Sequence, residues 1–235
     1  MKLKAIITQR QSTDTHGTLV DVLEHSYVDF FSKLNIEVFP ISNFTPNPLF
    51  IVDIVKPDFI ILTGGGDLPI DDTKLESIQK HRDDLEKHIV ENYIGRIPIL
   101  AICRGMQYIN LLFNGKVQKL KDLKVKRPIR IDHNVTLGKT VSKVNNYHNY
   151  GFKINDLAKE FKTIAIDDEN EIVEAFYSLS LKVLAVQWHP ERPFIDQKSF
   201  EKSFELINEF IIKRGEINES YYLSSGTRNK TQKVY

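Results

Sequence analysis

The sequence predicts an α/β fold in three layers: a mostly parallel central sheet, helices on both faces, and antiparallel additions in the C-terminal half. Three observations predict it. Short apolar runs alternate with helix-periodic segments through the first half, the rhythm of βαβα units. The runs at 59–62 and 97–102 are apolar almost throughout, as strands covered on both faces must be. From about residue 134 onward, strand-like runs succeed one another with little helix between them.

Residues 5–8 read as the first strand. Leu19, Leu23, Tyr27, Phe30 and Leu34 then step by three and four, which predicts an amphipathic helix. A short second strand is expected at 37–40 and a buried third at 59–62. A helix over about 74–93 leads into a strand at 97–102. Met106, Ile109, Leu112 and Phe113 share one face of the next helix, with Gly115 as its expected C-terminal cap. Strands at about 134–140, 163–166, 172–177 and 183–186 follow. A last amphipathic helix carries Phe200, Phe204, Ile207 and Ile211. Residues 1–213 therefore form one domain, and the polar, aperiodic residues 214–235 read as a loosely held tail.

Composition narrows the functional classes. With 41% hydrophobic and 27% charged residues, the 235-residue chain has material for a full core. A net charge of +1 gives no reason to expect nucleic acid or a membrane surface as partner. The N-terminus lacks a secretory apolar segment, and no run approaches the ~20 residues of a membrane span. One cysteine excludes an intramolecular disulfide and fits a reducing compartment, so a cytoplasmic location is expected. A homodimer is compatible with the sequence. The seven histidines show no metal-ligand spacing, and neither metal nor other cofactor is expected.

That one cysteine, Cys103, ends an apolar strand run and directly precedes a helix. Ala101 and Gly105 flank it at two residues on either side. A nucleophile on a sharp strand-to-helix turn needs such small neighbours. Most single cysteines are small buried hydrophobes without chemistry. This one sits over a helix N-terminus, where unpaired N–H groups and the helix dipole favour thiolate.

A thiol nucleophile also needs a base, and the base a group that fixes its tautomer. The strand 183–186 runs into Gln187-Trp188-His189-Pro190-Glu191. In extended backbone, Glu191 projects to the same side as His189 and can accept its Nδ1 proton, leaving Nε2 for Cys103. The strand at 59–62 runs into Thr63-Gly64-Gly65-Gly66-Asp67. Its glycines leave backbone N–H groups free to face a ligand, as an oxyanion hole requires. A plain turn and a dinucleotide phosphate loop are the rival readings, and the glycine spacing does not suit the second.

Four segments together resemble the class I (triad) glutamine amidotransferase superfamily, and within it the γ-glutamyl hydrolase branch. They are Gly64-Gly65-Gly66-Asp67, Ala101-Ile102-Cys103-Arg104-Gly105-Met106-Gln107, Val144-Asn145-Asn146-Tyr147-His148 and Gln187-Trp188-His189-Pro190-Glu191. The resemblance spans about residues 3–212 and implies a flavodoxin-like fold. It implies Cys103 as nucleophile, His189 as acid and base, and Glu191 as its orienting partner. It implies an oxyanion hole from the N–H groups of Gly65 and Arg104. Gly66, Asp67, Gln107, Asn146, Tyr147 and His148 would line the substrate pocket. Arg82 lies on the apolar stripe of its helix, and the hydrolase branch carries a similar Arg-Asp pair here. Pocket lining and an internal ion pair are both open for it.

The implied reaction is hydrolysis of a γ-glutamyl amide through a γ-glutamyl thioester. The segment 145–150 and the compact 64–75 loop resemble the γ-glutamyl-CDP-amidate hydrolases of capsule phosphoramidate synthesis more than the γ-glutamyl-γ-aminobutyrate hydrolases. Lys126, Arg127 and Arg130 are candidate cations for a pyrophosphate, or equally a solvated loop. The other alternative is the glutaminase subunit of an ammonia-channelling complex, which needs a synthase partner. No acceptor domain is legible in this chain.

Overall fold

The computed structural model describes residues 2–70, 79–126 and 128–223. Its elements run β1 (Leu3–Ile7), β2 (Arg10–Thr13), β3 (Leu19–Val22), α1 (His25–Lys33), β4 (Ile36–Pro40), α2 (Pro48–Val55), β5 (Phe59–Leu62), α3 (Lys80–Tyr93), β6 (Ile99–Ile102) and α4 (Arg104–Leu112). The second half contributes β7 (Gln118–Lys119), β8 (His133–Leu137), β9 (Thr140–Val144), β10 (Tyr150–Gly151), β11 (Lys162–Asp167), β12 (Val173–Ser178), β13 (Val183–Val186) and α5 (Gln197–Ile212).

Among the described residues, nine strands form one sheet in the order β4-β1-β5-β6-β13-β12-β11-β8-β9. Pairings from β4 through β13 are parallel, and those from β13 to β9 are antiparallel. This is the mixed sheet that the sequence predicts. Alternating strand residues divide the core between two faces. Ala5, Ile7, Phe59, Ile61 and Leu100 pack with Tyr27, Phe30 and Phe31 of α1 and with Leu206, Ile207 and Phe210 of α5. Ile6, Ile60, Leu62 and Ile99 pack with Val52 of α2, Leu85 and Ile89 of α3, and Met106 and Ile109 of α4. No helix among the described residues is long and apolar enough to cross a membrane.

Several local expectations change. Leu19–Val22 is a strand, not the first turn of a helix. Leu19-Val20-Asp21-Val22 pairs with β2 across a turn in which Asp14 Oδ1 accepts from the N–H groups of His16 and Thr18. Helix α2 went unread because its apolar face is nearly continuous and shows no helical period. Its N-cap is plain, however: Asn47 Oδ1 accepts from Phe50 N–H, with Pro48 at the first helical position. The strand expected at 134–140 is the first arm of a hairpin, β8 and β9. Helix α4 ends in a Schellman motif whose left-handed residue is Asn114 (φ +65°) and not Gly115. Gly115 N–H donates to Asn110 O, and a β-carbon on Gly115 would strike the Asn110 side chain. The part of the 74–93 helix before residue 79 lies outside the described residues.

The domain boundary also moves. The backbone beyond α5 stays on the body: Tyr177 Oη donates to Gly215 O (3.1 Å), and Ile217 is buried with Tyr221 and Tyr222 against the same face as α5. Of the predicted tail, residues 224–235 lie outside the described residues. Ile217→Ala is expected to cost about 2 kcal/mol in urea unfolding, the low end for a buried aliphatic truncation. A loosely held segment would give no measurable change.

Candidate functional site

β5, β6 and β13 are neighbouring parallel strands, and their carboxyl ends deliver the three predicted segments to one place. Crevices at such strand ends are where open α/β sheets bind ligands. β5 ends in the glycine loop, β6 in Cys103 and β13 in Gln187-Trp188-His189. Cys103 sits at φ +51°, ψ −103°, a conformation that L-residues rarely adopt, and its N–H donates to Val186 O (2.8 Å). Helix α4 starts at the next residue. The turn is tight enough that a β-carbon on Gly105 would stand 2.6 Å from Leu62 O.

His189 Nδ1 lies 2.6 Å from Glu191 Oε1, with both side chains buried. The contact comes from a turn and not from extended alternation. Arg192 N–H donates back to His189 O (3.1 Å), with Pro190 in the position that fixes φ. Asn145 locks that turn: its Oδ1 accepts from His189 N–H and its Nδ2 donates to His189 O, each at 2.9 Å. Across the cleft, a β-carbon on Gly64 would stand 2.5 Å from His189 Cε1 and 3.2 Å from Cys103 Cβ. The imidazole edge thus rests on the Gly64 Cα beside the cysteine, where no side chain fits. Burial pushes the His189 pKa down, but Cys103, by charge and hydrogen bond, and Glu191 push harder and raise it to about 9. Gln187 Nε2 donates to Cys103 Sγ (3.5 Å), and Gln187 Oε1 accepts from Gln107 Nε2 (3.0 Å).

A buried ion network holds the glycine loop from behind. Arg82 Nε donates to Glu86 Oε1 (2.8 Å). Its Nη1 reaches Gly65 O (2.7 Å) and Gly64 O (3.4 Å), and its Nη2 reaches Thr63 O (2.5 Å) and Thr63 Oγ1 (3.0 Å). Arg104 Nη1 donates to Glu86 Oε2 (2.5 Å), Nη2 to Asp83, and Nε to Asp67 O (3.1 Å). Burial acts to raise the Glu86 pKa, but the two guanidiniums outweigh it and keep the carboxylate ionised. For Asp83 burial prevails over Arg104 and lifts the carboxyl to about 6. A trans peptide holds its C=O and N–H on opposite sides. With the carbonyls of Thr63, Gly64 and Gly65 drawn toward Arg82, the N–H groups of Gly64, Gly65 and Gly66 face away from it. Gly64 N–H accordingly donates to Tyr27 Oη (2.9 Å). Burial, and then the Glu191 charge, hold the Tyr27 phenol well above its usual pKa and therefore protonated.

A model of the peptidase C26 family matches residues 3–191. The chain belongs to the peptidase C26 family. It is a glutamine amidotransferase-like γ-glutamyl amide hydrolase, acting on amide C–N bonds. It is similar to the γ-glutamyl-CDP-amidate hydrolase of Campylobacter jejuni, 30% identical over 173 residues that make up 70% of this chain and 79% of that one. A putative glutamine amidotransferase-like protein of Lactococcus lactis is 28% identical over 214 residues, 80% and 88% of the two chains. In fold, the chain resembles the crystal structure of a Thermotoga maritima glutamine amidotransferase. The TM-score is 0.62 at 16% identity, covering 92% of this chain and all of that one.

Within this C26 domain the structure gathers Cys103, His189, Glu191, Gly65, Arg104, Gln107 and Tyr147 around one crevice. Tyr147 meets the His189 ring edge-on at 5.5 Å. Gly66 and Asp67 are exposed on the rim. Gln107 is buried, and its amide hydrogens go to Gln187 and to Tyr150 O (2.9 Å), so its Oε1 is what it offers a substrate. Arg82 does not line the pocket. It is fully buried behind the loop, and its five N–H donors all meet protein acceptors, so the ion-pair reading is the one realised. Asn146 donates to Pro128 O, while its neighbour Asn145 is the residue that grips His189. His148 is buried, with Nδ1 2.7 Å from Tyr150 O. Lys126 and Arg130 are exposed, and Arg127 lies outside the described residues.

Sequence reasoning missed Asn145, Gln187, Tyr27 and Glu86 as parts of the site. The first two stood inside quoted motifs. Tyr27 read as core, and Glu86 carried one signal, its i,i+4 spacing from Arg82. Glu86→Gln leaves two buried guanidiniums facing Asp83 alone. It is expected to destabilise the fold by about 3–5 kcal/mol in denaturant unfolding. A loss below about 1 kcal/mol would show that the network does not hold the loop.

Proposed function

We propose that Cys103 is the nucleophile of a γ-glutamyl amide hydrolase, with His189 as acid and base and Glu191 as the group that orients it. The observation that carries this reading is the convergence of a left-handed Cys103 at a helix N-terminus with a buried His189–Glu191 pair on the Gly64 backbone. Cys103 Sγ attacks the γ-carbonyl carbon as a thiolate. The carbonyl oxygen, now negative, is received by the N–H groups of Gly65 and Arg104. The arginine clamp on the loop carbonyls supports the first assignment, and the unpaired N–H of a first helical residue supports the second. The C–N bond breaks as His189 Nε2–H gives its proton to the departing nitrogen, leaving a γ-glutamyl thioester. His189 then takes a proton from water as the water attacks the thioester, releasing glutamate and restoring the thiol–imidazole pair. Gln107, Tyr147, His148, Gly66 and Asp67 line the surroundings of the γ-glutamyl group.

For the leaving amine, the similarity to γ-glutamyl-CDP-amidate hydrolase supports a CDP-amidate conjugate first. The γ-aminobutyrate conjugate is the next substrate to test. A further similarity, 31% identity over 151 residues to the glutamine-hydrolyzing component of GMP synthase from Thermoplasma acidophilum, favours a second reading as a glutaminase with a synthase partner. Steady-state assays with glutamine, γ-glutamyl-γ-aminobutyrate and γ-glutamyl-CDP-amidate separate these. Vigorous turnover of a conjugate by the chain alone supports the hydrolase. Glutamine turnover that appears only with a partner supports the glutaminase.

Cys103→Ala is expected to lower kcat/KM roughly 10⁴-fold or more on every substrate while the protein stays folded by circular dichroism. Activity retained within tenfold would sink the mechanism. The pH profile carries a second expectation. His189 serves the leaving amine in its protonated form, which persists up to about 9. Single-turnover acylation should therefore hold below that pH and fall about tenfold per pH unit above it. A limb near pH 6.5 would mean that the imidazole is not held by Cys103 and Glu191 as described.

A further inference from the structure

Arg10 flanks the glycine loop on its open side. It begins β2 and is half-buried. A β-carbon on Gly65 would stand 3.0 Å from Arg10 Cδ, 3.6 Å from Nη1 and 3.8 Å from Nε, so the guanidinium lies along the Gly65 backbone. Gln11, the next residue, turns the other way: its Oε1 accepts from Arg82 N–H beneath the loop. The other arginines of the site are committed. Arg82 and Arg104 serve Glu86, Asp83 and the loop carbonyls, and Arg192 pairs with Glu24 at 2.8 Å. Arg10 has no ion pair and no side-chain hydrogen bond among the described residues. A half-buried guanidinium without an acceptor is a costly arrangement unless a ligand supplies one.

Position decides which part of the ligand that is. If His189 protonates the departing nitrogen, the leaving group lies on the His189 side of Cys103. Around the loop the order is His189 against Gly64, then Gly65, then Arg10. We propose that Arg10 forms an anion subsite for the leaving half of the substrate, selecting γ-glutamyl amides whose amine carries a phosphate or a carboxylate. This rests on the acyl-transfer reading above. The planar guanidinium fork suits either anion bidentately. Ammonia, the leaving group of glutamine, carries no anion and makes no use of the subsite. Gly65 keeps the approach open, because any side chain there would occupy the same space as the Arg10 stem.

Arg10→Met keeps the stem and removes the charge, and Arg10→Lys keeps the charge without the fork. Both are compared with the intact enzyme on γ-glutamyl-CDP-amidate, on γ-glutamyl-γ-aminobutyrate and on the neutral γ-glutamyl-butylamide. In Arg10→Met the ratio of anionic to neutral kcat/KM is expected to fall about 10- to 100-fold, the loss of one charge-assisted contact. The change should lie mainly in KM, with partial recovery in Arg10→Lys. A fall confined to the CDP-amidate assigns a phosphate, and one confined to the aminobutyrate conjugate assigns a carboxylate. Ratios within twofold of the intact enzyme overturn the proposal. So does an equal loss on all three substrates, which means that Arg10 only supports the loop. Should the intact enzyme hydrolyse none of them, the acyl-transfer reading fails by itself. Calorimetric binding of CDP and of γ-aminobutyrate then decides the subsite: weaker binding to Arg10→Met supports it, and equal binding overturns it.

Discussion

The buried pairing of Arg82 and Arg104 across Glu86 is the interaction on which the rest of the site depends. Two guanidiniums and a carboxylate lie under the crevice with almost no solvent exposure. Charges in that position are tolerated only when paired and fully hydrogen-bonded. Here the pairing is also a joint. Arg82 belongs to α3, Arg104 opens α4, and both reach the loop after β5. Thr8 at the end of β1 adds its hydroxyl to Glu86 (2.7 Å). One carboxylate therefore ties the ends of β1, β5 and β6 to two helices. The loop carbonyls are drawn down into this network, and the loop N–H groups are turned up toward Cys103.

The upper half of the site is positioned with equal economy of motion. Trp188 is driven into the core, with Nε1 donating to Ser203 Oγ on α5 (2.7 Å). Its neighbours Gln187 and His189 are thereby turned to the crevice. Asn145 then fixes the His189 backbone, and Glu191 fixes the ring. Strain at Cys103 is held by the parallel strand on one side and by α4 on the other. A left-handed residue at this turn costs on the order of 1–3 kcal/mol, which the packing of β6 and α4 offsets. What results is a rigid sulfur, a rigid imidazole and two upward N–H groups, leaving the substrate as the mobile component of the reaction.

Much of this was legible in the sequence because it is local. The β5, β6 and β13 runs, the small residues about Cys103 and the His189–Glu191 spacing all lie within short windows. Sheet order brings those windows together, and the parallel pairing follows from the βα rhythm. What escaped was long-range or ambiguous in period. Leu19–Val22 satisfies a helical stripe and a strand alternation equally, and only its pairing with β2 decides. The Arg82–Glu86–Arg104 joint depends on contacts between segments 18 residues or more apart. Arg82 on an apolar stripe signalled a buried charge but not its partner. Arg10 gave no sequence signal at all, since its meaning comes from lying beside Gly65.

The central claim is that a γ-glutamyl group passes through Cys103. Rapid acid quench of enzyme with an activated γ-glutamyl anilide, followed by peptide mass spectrometry, tests it most directly. The account predicts a γ-glutamyl adduct on the Cys103 peptide, forming in step with a burst of released aniline and decaying as glutamate appears. Turnover at the full rate with no adduct on Cys103, or with the adduct on another residue, would contradict it.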